Sequence, residues 1–66
     1  MEITLNGENR HFASGTSVAD LLTSMGLDAR AVVVERNLEI VPKSDADTVF
    51  LSDGDTIEIV RLVSGG

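Results

Sequence analysis

The chain has 66 residues and no cysteine, with 42% hydrophobic and 24% charged residues. This length and composition fit one globular domain, residues 1–66, and exclude disulfides and any cysteine nucleophile or thiolate metal ligand. Eleven acidic and five basic side chains give a formal net charge of −6, which predicts no nucleic-acid binding because phosphate recognition needs clustered Lys and Arg. The acidity favours a basic protein partner, although it also serves plain solubility.

The first residues lack the basic and apolar segments of a signal peptide, and no stretch approaches the roughly 18 apolar residues of a membrane span. We therefore expect a cytoplasmic protein that does not associate with membranes. Alone in solution, we expect it to be a monomer.

The N-terminal residues predict a β-hairpin. Ile3 and Leu5 alternate with polar residues, which is typical of a strand with one buried face. The dipeptide Asn6-Gly7 is a strong hairpin turn signal. We place the second strand at residues 10–13.

A short helix is predicted over residues 17–25. Val18, Leu21, Leu22 and Met25 follow the i, i+3, i+4, i+7 spacing of a single apolar stripe. Ser17 with Asp20 resembles a capping box, with Thr16 as a competing cap, and Gly26 suits the left-handed C-terminal stop.

The middle of the sequence predicts two more strands. Residues 31–35 are β-branched and almost continuously apolar, so we expect them in the middle of a sheet, covered on both faces. A turn at Arg36-Asn37 would lead into a short strand at residues 38–41. Pro42 ends that strand because proline has no N–H for the ladder.

The remainder predicts a crossover and a final strand. Residues 43–48 are polar and fit a connection with one helical turn, and residues 49–51 return apolar side chains to the core. Residues 52–55 form a tight turn around Gly54. The last strand is expected at residues 56–63, with Ile57 and Ile59 on one face.

Together these elements predict the α+β class. A mixed four- to five-stranded sheet packed on one helix is the simplest way to bury the helix stripe. This is the ubiquitin-like β-grasp, in which the N-terminal hairpin holds the helix and the last strand lies beside the first. We expect residues 64–66 to form a flexible C-terminal Gly-Gly tail.

The sequence also resembles a known family. The similar segments are Leu5-Asn6-Gly7, Val34-Glu35-Arg36-Asn37, Glu39-Ile40-Val41-Pro42, Asp53-Gly54-Asp55 with Ile57-Glu58-Ile59-Val60, and Gly65-Gly66. This ordered set looks like the ThiS family of sulfur carrier proteins in thiamine biosynthesis. The chain departs from the common pattern at Ser64, where many members have a third glycine, at Leu38, where a turn glycine is common, and at Lys43 and Ala46.

The resemblance implies a carrier that is not itself an enzyme. A ThiF-like adenylyltransferase would use ATP and Mg²⁺ to adenylate the Gly66 carboxylate, and no cofactor would be bound permanently. Sulfur from a cysteine desulfurase persulfide, or another sulfur donor, would then convert Gly66 into a thiocarboxylate. A thiazole synthase would receive that sulfur.

The tail would consist of Ser64, Gly65 and Gly66. Glycine has no Cβ, so Gly65 and Gly66 would let the terminus enter narrow channels in two enzymes. A frayed terminus without function is the alternative. Two further alternatives are a sulfur carrier for molybdopterin or another sulfur-requiring pathway, and a β-grasp module that binds its partner without covalent chemistry.

Four residues before the tail are candidates for partner docking: Val60, Arg61, Leu62 and Val63. Packing into the core or a sheet edge is the alternative for the three apolar ones. The Asp53-Gly54-Asp55 turn is interpreted as architectural, with its aspartates accepting backbone N–H groups, and we predict no metal site. His11 lacks partners for catalysis or metal binding, and the serines lack a base, so we assign no catalytic residue.

Overall fold

The computed structural model describes residues 1–62. It contains five strands and one α-helix, with a 3-10 turn at Ala29–Ala31 and another at Lys43–Asp45. The α-helix and strands are, in chain order, Glu2–Leu5 (β1), Glu8–His11 (β2), Val18–Ser24 (α1), Val32–Arg36 (β3), Glu39–Val41 (β4) and Thr56–Arg61 (β5).

A two-residue turn connects β1 to β2. Asn6 and Gly7 have φ values of 47° and 82°, the two left-handed conformations that this kind of hairpin turn requires. Leu5 pairs with Glu8 directly across the turn, so β2 begins immediately after Gly7. The predicted bounds of 10–13 for this strand are therefore wrong. They were misplaced because every residue of β2 is exposed and its sequence carries no apolar alternation.

The helix α1 begins at a full capping box, as predicted. The Asp20 N–H donates to Ser17 Oγ at 3.0 Å, and the Ser17 N–H donates to Asp20 Oδ2 at 3.1 Å. Two of the N–H groups that a helix start leaves unpaired are satisfied in this way. Thr16 does not compete as a cap, because its hydroxyl donates to the Ala13 carbonyl. Gly26, at φ 69°, follows the helix end in the expected left-handed conformation.

The strand order in the sheet is β2-β1-β5-β3-β4, with β1 and β5 parallel and the other pairs antiparallel. The prediction that the last strand lies beside the first is confirmed. The prediction that residues 31–35 form the middle of the sheet, covered on both faces, is wrong. The middle strand is β5, and Val33 in β3 is only half-buried because it lies on the face away from α1.

The core lies between α1 and one face of the sheet. It contains ten buried hydrophobic residues: Ile3, Leu5, Val18, Leu21, Leu22, Val32, Val34, Ala46, Leu51 and Ile57. The predicted stripe of α1 is among them except for Met25, which is half-buried at the margin. On the sheet side, alternate residues of β1, β3 and β5 supply the core, as period-two side-chain alternation requires.

One apolar residue expected in the core is exposed. Leu51 is buried and Val49 half-buried, but 55% of Phe50 is exposed. This segment is extended: the Val18 N–H donates to the Val49 carbonyl, and the Leu51 N–H donates to the Thr16 carbonyl. Neighbouring side chains of an extended segment point in opposite directions, so Phe50 faces outward when its neighbours face inward.

The β3–β4 turn is one residue later than predicted. Arg36 pairs with Glu39, which places Asn37 and Leu38 at the two turn positions. Their φ values are 51° and 71°. Leu38 is therefore a turn residue in the left-handed region, and β4 begins at Glu39 instead of Leu38. The turn keeps the geometry that glycine would favour although leucine occupies the position.

Candidate functional site

The strand β5 carries the chain toward the predicted tail. In the antiparallel β3–β5 pair, Val60 lies opposite Val33 and Arg61 opposite Val32. The next N–H, that of Leu62, donates to the Ala31 carbonyl at 2.8 Å. The described chain is thus fixed to the body up to its last residue, at the edge where β3 begins.

Three of the four predicted docking residues, Val60, Arg61 and Leu62, are accessible. The exposed fractions are 54% for Val60 and 51% for Leu62, so packing into the core is wrong for these two. Arg61 is also exposed, and no ion pair within residues 1–62 includes it. Their role in docking stays a prediction. Val63 and the tail residues Ser64, Gly65 and Gly66 lie outside the described residues, so the predictions about them stay predictions as well.

A shallow cavity of about 250 Å³ adjoins the point where the described chain ends. Arg61 and Leu62 form one side of it, and residues that follow α1 form the other, with Asp28 among them. Asp28 caps the 3-10 turn by accepting the Arg30 N–H at 2.9 Å. The Arg30 guanidinium also donates to this carboxylate at 2.7 Å, and these hydrogen bonds lower the pKa of Asp28 to about 2.

The turn before β5 is held by a buried carboxylate. Asp55 accepts hydrogen bonds from the Ser52 N–H at 2.7 Å, Arg36 Nε at 2.8 Å and Asn37 Nδ2 at 3.0 Å. Burial alone would raise the pKa of Asp55, but these donors outweigh it and hold the pKa below its ordinary value. The carboxylate therefore fixes the start of β5 against the β3–β4 hairpin.

The other members of this turn are architectural too. Asp53 Oδ1 accepts the Glu2 N–H at 2.7 Å, and Gly54 has a φ of 86°. The prediction that both aspartates accept backbone N–H groups is confirmed. Within residues 1–62, no group of three or more His, Asp or Glu side chains is placed to hold a metal ion.

The sheet face that points away from α1 is a second candidate surface. We call it the outer sheet face and define it by Val33, Glu35, Ile40, Glu58 and Val60. Cross-strand partners share a face, and the register pairs Val33 with Val60 and Glu35 with both Glu58 and Ile40. Of these residues, the sequence interpretation named only Val60 as a candidate for docking. The alternation of residues along β3 and β5 could have indicated the face, but the pairing between strands is not local in sequence.

One more cavity lies between α1 and the β3–β4 edge of the sheet. Its volume is about 190 Å³, and apart from Lys43 it is lined by apolar residues, including Leu22, Val34 and Pro42. The side chains lining it offer no acid, nucleophile or metal ligand.

In the described part of the chain, no helix is long and apolar enough to cross a membrane.

One helix held on one face of a five-stranded mixed sheet, with the first and last strands parallel at its centre, defines the ubiquitin-like β-grasp class. The model of the ThiS family matches residues 3–66. This protein therefore belongs to the ThiS family. The family resemblance inferred from the sequence is confirmed.

Individual relatives agree with this assignment. The chain is 43% identical to the sulfur carrier protein ThiS of Bacillus subtilis over 65 residues, which cover 97% of this chain and 98% of the relative. A crystal structure of the thiamine biosynthesis protein ThiS from Geobacter metallireducens superposes with a TM-score of 0.85 at 30% identity, with full coverage of both chains.

Two relatives are much longer proteins. A thiazole synthase of Paramagnetospirillum magneticum is 50% identical over all 66 residues of this chain, and one of Magnetococcus marinus is 38% identical. The chain spans 20% of the length of each of these two relatives. A segment similar to this domain therefore exists within proteins named as thiazole synthases.

Proposed function

We propose that this protein carries sulfur for thiazole formation in thiamine biosynthesis and is a substrate of its partner enzymes, not a catalyst. The observation that carries the proposal is its 43% identity, over nearly its whole length, to a protein named as a sulfur carrier. The family match supports it further, since the matched region extends to Gly66.

The chemistry would take place at the Gly66 carboxylate. A carboxylate is a poor acyl donor, because its negative charge repels nucleophiles and oxide is a very poor leaving group. A ThiF-like adenylyltransferase would therefore transfer AMP from ATP to the carboxylate, with Mg²⁺ stabilising the phosphates and pyrophosphate leaving. The product is an acyl adenylate, which a sulfur nucleophile can attack.

Sulfur would enter from a persulfide, such as that of a cysteine desulfurase. The terminal sulfur attacks the Gly66 carbonyl carbon, the C–O bond to AMP breaks, and an acyl disulfide forms. A thiol reductant then cleaves the S–S bond, which leaves the Gly66 thiocarboxylate. The thiocarboxylate would donate its sulfur to a thiazole synthase.

The distance from the folded body to Gly66 limits where a partner can bind. Residues 1–62 form a small body that ends at Leu62, whose N–H donates to the Ala31 carbonyl. The four residues after Leu62 can reach at most about 14 Å when extended. A partner that acts on Gly66 must therefore touch the body close to Leu62.

Intact mass spectrometry tests the proposal. The chain is incubated with the adenylyltransferase of the same organism, ATP, Mg²⁺, a cysteine desulfurase, cysteine and a thiol reductant. We expect the mass to rise by the exchange of one oxygen for one sulfur, and we expect no such rise when Gly66 is deleted. Glu8→Gln, on the opposite edge of the sheet, is the matched control and should be modified like the wild type.

The enzyme that accepts the sulfur tests which pathway the carrier serves. The thiocarboxylate form is supplied either to the thiazole synthase or to the large subunit of a molybdopterin synthase. Thiazole formation that consumes the thiocarboxylate supports the proposal, whereas consumption by the molybdopterin enzyme alone would assign the carrier to that pathway. If no mass change occurs with any activating enzyme, the covalent proposal fails.

A further inference from the structure

The outer sheet face contains a like-charge pair at its centre. Glu35 in β3 lies directly opposite Glu58 in β5, so their side chains emerge next to each other on the same face. Two carboxylates in this relation repel each other and destabilise the sheet. The ion pairs of residues 1–62 involve Glu8, Asp28 and Asp55, so none compensates this pair.

Apolar side chains border the two glutamates on two sides. Val33 and Val60 form the adjacent cross-strand pair on one side, and Ile40 lies across β3 from Glu58. Ile40 is 66% exposed and Val60 54% exposed. Within residues 1–62 the helix packs on the opposite face of the sheet, so none of the secondary-structure elements covers this one. The face remains accessible, with Ile40, Glu58 and Val60 exposed and Val33 and Glu35 half-buried.

We propose that the outer sheet face docks onto a thiazole synthase through a patch that combines Lys or Arg side chains with apolar ones. This inference rests on the proposed function and adds to it a surface outside the tail. A guanidinium or ammonium group placed between Glu35 and Glu58 would relieve their repulsion, while Ile40 and Val60 would bury apolar area at the border.

Three observations select this partner over a second copy of the chain. A symmetric dimer through this face would bring two Glu35–Glu58 pairs together in a protein of net charge −6, which opposes association. Two thiazole synthases contain a segment similar to this domain within their own chains, so the domain and the synthase occur together covalently. The third observation is distance: Glu58 and Val60 belong to the strand that leads into the tail.

Glu58 lies close to the end of the described chain. Leu62 is four positions after Glu58, which is about 13 Å along an extended strand. Val63 and the three tail residues together extend at most about 14 Å beyond Leu62. An enzyme that encloses the tip of such a short tail must contact the end of β5, and the outer sheet face is an accessible surface of that strand.

Binding kinetics with the purified thiazole synthase of the same organism test the proposal. The double variant Glu35→Gln with Glu58→Gln should lower the association rate constant by about tenfold at low ionic strength and weaken its salt dependence. The matched control is Glu8→Gln with Asp47→Asn, which changes the net charge equally but lies off the outer sheet face. It should keep most of the wild-type rate constant.

The thermal stability of the same variants separates docking from folding. Removal of the like-charge repulsion should raise the melting temperature of the Glu35→Gln, Glu58→Gln variant even though its binding weakens. Glu58→Lys, which creates an opposite-charge pair with Glu35, should be more stable still and should bind least. Ile40→Ser should mainly increase the dissociation rate constant, because it removes apolar contact without changing charge.

Several outcomes would overturn the docking proposal. The proposal fails if the association rate constant of the Glu35→Gln, Glu58→Gln variant equals that of the wild type, or if the matched control loses as much. It also fails if the wild-type chain does not bind the thiazole synthase, or if sedimentation shows self-association through this face. A chain lacking Gly65 and Gly66 should still bind with the same salt dependence. All binding is measured with the unmodified carboxylate. A failure to form the thiocarboxylate would therefore count against the proposed function and would not affect the docking result.

Discussion

Arg36 Nε lies 2.8 Å from Asp55 Oδ2, and this contact joins the end of β3 to the turn that precedes β5. Asp55 is 6% exposed and accepts two more hydrogen bonds, one from a backbone N–H and one from the Asn37 amide. Asn37 in turn accepts the Thr56 N–H at 2.9 Å through its side-chain oxygen. The β3–β4 hairpin and the start of the central strand are therefore fixed by one connected set of hydrogen bonds.

Replacement of Asp55 should destabilise the fold strongly. Asp55→Ala leaves the Arg36 guanidinium, the Asn37 amide and the Ser52 N–H without their acceptor, and we expect a loss of about 2–4 kcal/mol in the free energy of unfolding. Urea denaturation followed by circular dichroism measures it. Asp47→Asn, which removes an exposed carboxylate, should change the free energy of unfolding by less than about 0.5 kcal/mol. A similar loss in both variants would contradict the role assigned to Asp55.

Stability should fall in acid because of the same carboxylate. The pKa of Asp55 is lower in the folded state than its ordinary value of 3.8, so the unfolded state binds protons first as the pH falls. The contribution of Asp55 to the free energy of unfolding is fully present at pH values above its pKa in the unfolded state. It is lost as the pH falls through its pKa in the folded state. Unfolding free energies measured from pH 6 to pH 2 should show this decline, and Asp55→Asn should flatten it below pH 4.

Asp28 provides an internal comparison for the acid titration. Its pKa is lowered to about 2, but the pair with Arg30 is exposed to solvent. Salt should therefore screen any contribution of Asp28 far more than the contribution of the buried Asp55. Repeating the titration in high salt should leave the difference between wild type and Asp55→Asn largely intact. If this difference disappears in high salt, exposed surface charges, and not Asp55, account for the loss of stability in acid.

Glycine at position 38 should stabilise the hairpin. Leu38 has a φ of 71° and is 87% exposed, so it bears the cost of a left-handed conformation without burying its side chain. We expect Leu38→Gly to raise the free energy of unfolding by about 0.5–1 kcal/mol, less than the full strain because glycine also gains entropy in the unfolded chain. Leu38→Ala keeps the strained backbone and is the matched control. If Ala stabilises as much as Gly, exposed apolar area and not backbone strain is the cause.

Loss of side-chain volume at the buried position of the central strand should destabilise the fold. Ile57 has an exposed fraction of 0% and lies opposite Leu5 in the parallel pair. Ile57→Val should cost about 1 kcal/mol and Ile57→Ala about 2–5 kcal/mol. A domain of this size has only a few kcal/mol of stability, so the Ala variant should be largely unfolded at 37 °C by circular dichroism. Ile40→Ala, at an exposed position of β4, should change stability little.

Local signals in the sequence predicted the local structure well. The Asn6-Gly7 turn, the Ser17–Asp20 capping box and the Gly26 helix stop all have the expected geometry. In each case the residues that determine the conformation are within four positions of one another, so a short sequence motif is enough to predict it. The β-grasp class followed from the order of these elements and is confirmed.

The errors concern pairing between distant segments. The apolar run of β3 suggested the middle strand, but β3 lies between β5 and β4, and β5 is the middle strand of the five. Phe50 was expected in the core, but the pairing of its segment with residues 16–18 turns its side chain outward. The Glu35–Glu58 pair and the hydrogen bonds from Arg36 and Asn37 to Asp55 likewise join residues about 20 positions apart, which no short motif indicates.

The central position of β5 has a consequence for synthesis on the ribosome. A nascent chain that ends before Thr56 has β1 and β3 but lacks the strand that lies between them, so its two hairpins have no common sheet. The body can therefore close only after the whole of β5 has left the exit tunnel. Products of premature termination that end before Thr56 should therefore remain unfolded and be cleared by proteases.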